Sequence, residues 1–278
     1  MRVVIRGAGD LASGVALRLW RAGMDVVLLD VEKPTAIRRT VAFSEAIVHG
    51  KQTVEDVTAR LATAETAEET LAAGMIPVLV DPEGRSIPTL RPDALVDAIL
   101  AKRNLGTKIT DAPVVIGVGP GFTAGVDCHA VVETMRGHTL GRVIREGSAI
   151  PNTGIPGLIG GFAGERVLRA PATGLFHPLR DIGDAVTEGE ILATVEGKPI
   201  IATLTGTLRG ILPEGTEVFP GMKAGDIDPR CQRSHCFTAS DKALAVGGGV
   251  LEAILALTGA LRETGIRRAG GEGEEDHG

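Results

Sequence analysis

Val3-Val4-Ile5-Arg6-Gly7-Ala8-Gly9-Asp10-Leu11-Ala12 decides how the first part of this chain is read. The short β-branched run predicts a strand, and the glycines after it predict a tight turn. Leu11, Val15, Leu19 and Ala22 then recur at helical spacing, and the apolar run 26–29 ends at Asp30. A strand, a helix and a parallel strand are therefore expected. Gly7, Gly9 and Ala12 fit the G-x-G-x-x-G/A pattern of dinucleotide-binding turns. In that chemistry Gly7 permits the turn, Gly9 lets a pyrophosphate approach the backbone, and Ala12 allows close packing. The free N–H groups at the helix start then bind anionic oxygens. Asp30 is placed to accept ribose hydroxyls, which favours NAD or another adenine nucleotide over NADP. Asp10 is discordant, because its carboxylate falls where ligand phosphates would lie unless it only caps the helix. Arg39, next to Arg38, is a candidate clamp for a phosphate or carboxylate.

Beyond this turn the pattern predicts helices at 54–61, 67–73 and 92–102 and strands at 76–80 and 114–118. Strands alternating with helices imply a parallel sheet covered on both faces. Two strand-like runs, 126–135 and 140–144, flank Arg136-Gly137-His138-Thr139 and suggest a hairpin. Between strand and hairpin, Gly119 and Gly121 stand in a glycine-rich loop whose backbone amides could form an anion-binding nest. Asp127, Cys128 and His129 follow as candidates for chemistry, although Cys128 and His129 are adjacent and would point to opposite faces of a strand. Cys231, His235 and Cys236 form a second sulfur group, but their spacing is not that of a zinc site, and no metal is expected.

Residues 168–230 carry an internal repeat. Gly174, Gly183, Val186 and Gly189 recur as Gly206, Gly215, Val218 and Gly221. A duplicated β unit of this size can close into a small two-fold barrel, and the stretch resembles the lipoyl and biotinyl carrier domains. Lys198 occupies the connection where those carriers bear their modified lysine. Its flanks, Gly197 and Pro199, are not those of a carrier, so modification is not expected. The expected architecture is thus α/β. It has a Rossmann-like nucleotide-binding parallel-sheet domain over 1–165 and a barrel-sandwich β module over 166–230. A C-terminal segment and helix over 231–265 pack back on the first domain, and 266–278 form a disordered tail.

Composition narrows the function classes. The 278 residues carry a net charge of −6 and hold one Trp, six Phe and no Tyr. Such a chain has neither the basic field nor the stacking residues for nucleic acid. The apolar window 243–261 is interrupted by Gly247, Gly248, Gly249 and Glu252, which favours a buried helix over a membrane span. The start of the chain lacks the apolar core of a secretion signal, and three cysteines do not make a disulfide scaffold, so a cytoplasmic protein is expected.

Several long strings carry a family resemblance. They are the stretch from Val4 through Leu19, Ala36-Ile37-Arg38-Arg39-Thr40, and Gly119-Pro120-Gly121-Phe122-Thr123-Ala124-Gly125-Val126-Asp127-Cys128-His129. Three more are Glu133-Thr134-Met135-Arg136-Gly137-His138, Pro151-Asn152-Thr153-Gly154-Ile155-Pro156-Gly157, and the run from Ser240 through Ala253. Together they resemble the YqeB family of selenium-dependent molybdenum hydroxylase system proteins. The resemblance implies an accessory or maturation factor that handles or inserts selenium or sulfur for a molybdenum hydroxylase client, with self-association left open. It places Asp127 and Cys128 at the active loop, with Cys128 a candidate sulfur or selenium carrier. The competing readings are an NAD-dependent oxidoreductase, with Asp127 or His129 as its acid–base residue, and a scaffold without chemistry.

Overall fold

The computed structural model describes residues 1–154 and 157–260, so the expected disorder of 266–278 lies outside the described residues. The first eleven strands are β1 (Arg2–Arg6), β2 (Asp25–Asp30), β3 (Lys51–Val54), β4 (Val57–Leu61), β5 (Ile76–Val80), β6 (Ala94–Asp97), β7 (Val114–Val118), β8 (Thr123–Ala124), β9 (Ala130–Val132), β10 (Val143–Ile144) and β11 (Gly147–Ser148). Among the described residues five α-helices accompany the strands: α1 (Asp10–Arg21), α2 (Glu45–His49), α3 (Ala67–Ala72), α4 (Ile87–Leu90) and α5 (Asp241–Thr258).

Among the described residues the largest sheet has nine strands in the order β10-β9-β7-β6-β1-β2-β5-β4-β3. Its seven inner strands run parallel, while β3 and β10 join antiparallel at the two edges. The sheet is therefore mixed, which corrects the expected Rossmann-like parallel sheet. Two misread segments account for much of the difference. The stretch read as a helix at 54–61 is the β3–β4 hairpin, in which Val54 faces Val57 across Glu55 and Asp56. Glu55 holds a positive φ of 56° there, so the turn carries no glycine to announce it. The stretch read as a helix at 92–102 contains β6, a fully buried strand beside β1. An apolar run of that length does not distinguish a buried strand from a buried helix.

Both faces of this sheet are covered by apolar side chains. Val3, Ile5, Val26 and Leu28 pack beneath α1 and α5, while Val4, Val27, Leu29 and Leu95 face the opposite layer. Small residues bring the two long helices together. A Cβ on Gly14 would lie 2.5 Å from the Ala243 Cβ, and one on Gly247 would lie 2.8 Å from the Gly14 carbonyl. This close contact aligns the starts of α1 and α5 at one end of the molecule.

The second unit comprises β12 (Val167–Arg169), β13 (Gly174–Pro178), β14 (Ala185–Val186), β15 (Ile191–Val195), β16 (Lys198–Ile201), β17 (Gly206–Ile211), β18 (Thr216–Val218) and β19 (Lys223–Asp228). They form two four-stranded sheets, β12-β19-β17-β14 and β16-β15-β13-β18, around a core that includes Phe176, Leu192, Leu208 and Ile227. The halves of the sequence repeat exchange short strands: β14 pairs with β17 of the second half, and β18 with β13 of the first. These are two separate antiparallel sheets with open edges, which corrects the expected lipoyl-like barrel. The exchanged strands are only two and three residues long, too short to close the sheets into one. Lys198 begins β16 at the exposed end of a hairpin.

Candidate functional site

A cleft of about 580 Å³ opens where the start of α1, the start of α5 and the second unit meet. This volume lies within the roughly 300–1,000 Å³ typical of small-molecule sites. Its floor is the β1–α1 turn. Gly7 has φ +101°, and a Cβ there would lie 2.8 Å from the Ala98 carbonyl, so glycine lets the turn approach the end of β6. Gly9 has nothing within 4 Å of its Cβ position and leaves the backbone open. It precedes α1 without a side-chain cap, and among the described residues no partner accepts from the N–H groups of Asp10, Leu11 and Ala12. Such groups, with the positive end of the helix dipole, favour an anion.

The turn is held from behind. Ser13 Oγ donates to the Ala8 carbonyl at 3.1 Å and accepts from Phe43 N at 2.8 Å, while Ser44 N donates to the Ala8 carbonyl at 2.9 Å. Asp30 lines the cleft and accepts from Ala8 N and Val31 N, each at 2.7 Å. Burial pushes its carboxyl above the usual range, against the lowering effect of those two bonds. Each of its oxygens keeps a second lone pair, so the carboxylate can still accept a hydroxyl.

The discordant Asp10 is balanced by an arginine. Arg38 Nη1 donates to both Asp10 oxygens, at 3.1 and 3.0 Å, and Arg38 Nη2 donates to the carbonyls of His235 and Thr238. Arg38, rather than Arg39, is thus the cleft residue. Arg39 turns away, donating from Nε to the Ile211 carbonyl at 3.0 Å and standing 3.9 Å from Glu45. Neighbouring residues project differently, and the sequence reading puts forward Arg39 of the pair.

The far wall supplies further cations. Arg136 forms a two-point pair with Asp241 at 2.8 and 2.9 Å, at the first residue of α5. Its loop is organised by buried Glu133, whose carboxylate accepts from Thr134 N, Met135 N and Ile150 N. Arg166 and Arg209 share the buried Asp226, and Arg209 reaches on to Asp228. Asp228 also accepts from Arg230, and its pKa is lowered well below the usual carboxylate range because these bonds and charges outweigh a large burial penalty. Arg166 is only 5% exposed, and among the described residues its Nε and Nη1 have no partner, nor has the Oγ of fully buried Ser44. Lys223 and Lys242 complete the wall. Crowding by the walls pulls both ammonium groups below their usual values, although Lys223 still reaches solvent. Arg209 and Arg166 add to the effect at Lys223, and Lys102 and Arg136 at Lys242.

In all, six cationic side chains and three carboxylates line the cleft, an excess of positive charge in a chain whose net charge is −6. Arg38, Arg136 and Lys242 fall within strings that carried the family resemblance. Arg166, Arg209 and Lys223 left no such signal, except that Arg209 is the one charged residue of a fully buried strand.

The other sequence candidates lie elsewhere. Gly119 and Gly121 have positive φ, and a Cβ on either would meet Thr134 or the Arg103 backbone at 2.8 or 2.7 Å. They serve close packing outside the cleft lining. Asp127 accepts from Thr123 N at 2.8 Å and from Asn104 Nδ2 at 3.2 Å, and His129 Nδ1 accepts from Val115 N at 2.9 Å. Cys128 is fully buried, and burial pushes its thiol up to about 11. Cys236 is also buried, whereas Cys231 is exposed. Among the described residues no group of three or more His, Cys, Asp or Glu side chains could hold a metal. No described helix is long and apolar enough to cross a membrane.

Fold and site together define an α/β protein with a mixed central sheet and a cationic cleft at a helix start. No family model matches the chain. It is similar to the uncharacterized protein YqeB of Escherichia coli K12, at 56% identity over 256 residues. The match takes in 92% of this chain but 47% of that relative, so the chain spans about half its length. Among solved structures, an aspartoacylase family protein from Mesorhizobium loti is similar at 11% identity and TM-score 0.27, covering 81% of this chain and 84% of that one. A succinylglutamate desuccinylase/aspartoacylase from Rhodobacter sphaeroides is similar at 16% identity and TM-score 0.27, covering 81% and 85%.

Proposed function

We propose that this chain is a nucleotide-binding accessory factor, whose ligand lays its diphosphate on the start of α1 and its ribose beside Asp30. One observation carries the reading: the unpartnered N–H groups of Asp10, Leu11 and Ala12 form the floor of a cleft with excess positive charge. Backbone donors and a helix dipole recognise phosphate oxygens without any change in protein protonation. The Asp10 carboxylate opposes this, and its pair with Arg38 offsets the opposition.

The strings shared with the YqeB family support a wider role in maturing a selenium-dependent molybdenum hydroxylase. In that role the bound nucleotide sets how the second unit is held against the main sheet, and the client enzyme is the partner. The oxidoreductase reading is less well supported, since neither Asp127 nor His129 lines the cleft and both are engaged in their own loop.

Calorimetric titration with NAD, ADP and ATP tests the binding claim, with saturable heat expected from at least one; absence of heat from all three refutes it. The client role is tested in a host that expresses the hydroxylase. Deletion of the gene should lower the selenium content and activity of that enzyme, and unchanged values in both would end the maturation reading.

A further inference from the structure

Cationic side chains outnumber carboxylates on the cleft lining, and they are unevenly paired. The diphosphate of NAD carries about two negative charges, partly cancelled by the nicotinamide ring, whereas a nucleoside triphosphate carries about four at neutral pH. The described lining holds six cationic side chains and three carboxylates, and outside it Asp241 and Asp228 pair with Arg136 and Arg209, which leaves Arg166 and Lys223 with bonding capacity to spare. These charges also form one field. The Asp10 carboxylate raises the proton affinity of Arg136, Lys223 and Lys242, so the helix start and the far wall lie within electrostatic reach of each other.

On that far wall Arg136 and Arg209 are paired, whereas Arg166 and Lys223 are short of partners among the described residues. Asp226 is the carboxylate shared by Arg166 and Arg209, and among the described residues Lys223 has no ion pair and the nine-tenths-buried Arg166 keeps two nitrogens unpartnered. A buried guanidinium left short of acceptors costs free energy unless something else supplies them. The second unit presents this group to the cleft from β17, β19 and the segment before β12, opposite the start of α1.

We infer that Arg166, Arg209 and Lys223 form a second phosphate subsite, so that the ligand is a nucleotide bearing a phosphoryl group beyond the diphosphate at α1. This rests on the nucleotide reading above and adds the ligand class. A nucleoside triphosphate spans the cleft, its terminal phosphate joining the second unit to the main sheet, while a diphosphate or NAD leaves that end empty.

The test is calorimetry on the full chain with ATP, ADP, NAD and inorganic tripolyphosphate, for the wild type and for Lys223→Gln and Lys223→Arg. Lys223 reaches solvent, so these variants keep the buried network. ATP should bind about tenfold or more tightly than ADP or NAD, as one charged hydrogen-bonded contact supplies. Lys223→Gln should remove most of that preference while leaving ADP affinity in place, and Lys223→Arg should retain it. ATP, ADP and NAD of equal affinity, or a Lys223→Gln change that falls equally on ATP and ADP, would overturn the subsite while leaving nucleotide binding intact. Binding of tripolyphosphate with no nucleotide binding would instead support the subsite and sink the nucleotide reading.

Discussion

The Cys128 thiol offers a sharp quantitative test of where chemistry can occur in this chain. Its side chain is fully buried, and burial raises its pKa from 9.0 to about 11, with the nearby Asp127 charge adding to the rise. At pH 8 an ordinary thiol at the lower value is about 9% thiolate, whereas Cys128 is about 0.1% thiolate, a roughly hundredfold difference that follows from the two-unit shift. Since the thiolate is the reacting species, Cys128 should alkylate at least a hundredfold more slowly than a comparable free thiol. Exposed Cys231 is the internal control. Native protein treated with iodoacetamide at pH 8, quenched over time and digested for mass spectrometry, gives both rates from one sample. Cys231 should be modified first, and Cys128 should react freely only in denaturant. Equal native rates for the two residues would refute the burial argument and restore Cys128 as a carrier of sulfur or selenium. The linkage has a definite sign: because the folded pKa is raised, this thiol stabilises less as pH climbs through the 9–11 window.

Three further outcomes follow from the packing and the charges. Asp30→Asn should weaken nucleotide binding by about tenfold while leaving tripolyphosphate unaffected, since only the nucleotide has a ribose to contact; calorimetry with both ligands checks this, and equal losses would contradict a ribose role. Gly249→Ala should destabilise the fold by about 1–3 kcal/mol, because the added Cβ would stand 2.1 Å from the Gly141 carbonyl and 2.9 Å from Val132; thermal melting reads the effect, and an unchanged Tm would show that α5 shifts freely. The depressed pKa of buried Asp228 contributes stability that is present above the ordinary carboxylate range and lost as pH falls below about 4. Denaturant titrations at pH 7 and pH 3.5 should therefore show a smaller gap between the two pH values in Asp228→Asn than in the wild type, and an equal gap would remove Asp228 from the acid response.

How much was legible without coordinates depended on how local the signal was. Gly7, Gly9, Ala12 and Asp30 sit within thirty residues of each other, and all line the cleft. The strands β5 and β7 were likewise readable as short apolar runs, and the long helix α5 as an apolar window whose glycines and Glu252 argue for burial in the fold. The hairpin at Glu55 and Asp56 and the buried strand β6 were not, because a positive-φ glutamate and an apolar run carry no unambiguous period. In the central Gly119–Cys128 segment, Gly119 and Gly121 allow close approach to Thr134 and to the Arg103 backbone, neighbours that only the fold brings to them.

What the order of residues determined by itself was the local turn: a strand that ends in small residues, a helix start with free donors, and an acid one strand later. Tertiary structure alone decided that this turn should face Arg136, Arg166, Arg209, Lys223 and Lys242. Those residues are drawn from more than a hundred positions of chain, and a helix start binds no charge in particular until the fold surrounds it. The physical reason is that backbone conformation depends on near neighbours, whereas the electrostatic potential of a cleft sums over every charge the fold brings within reach.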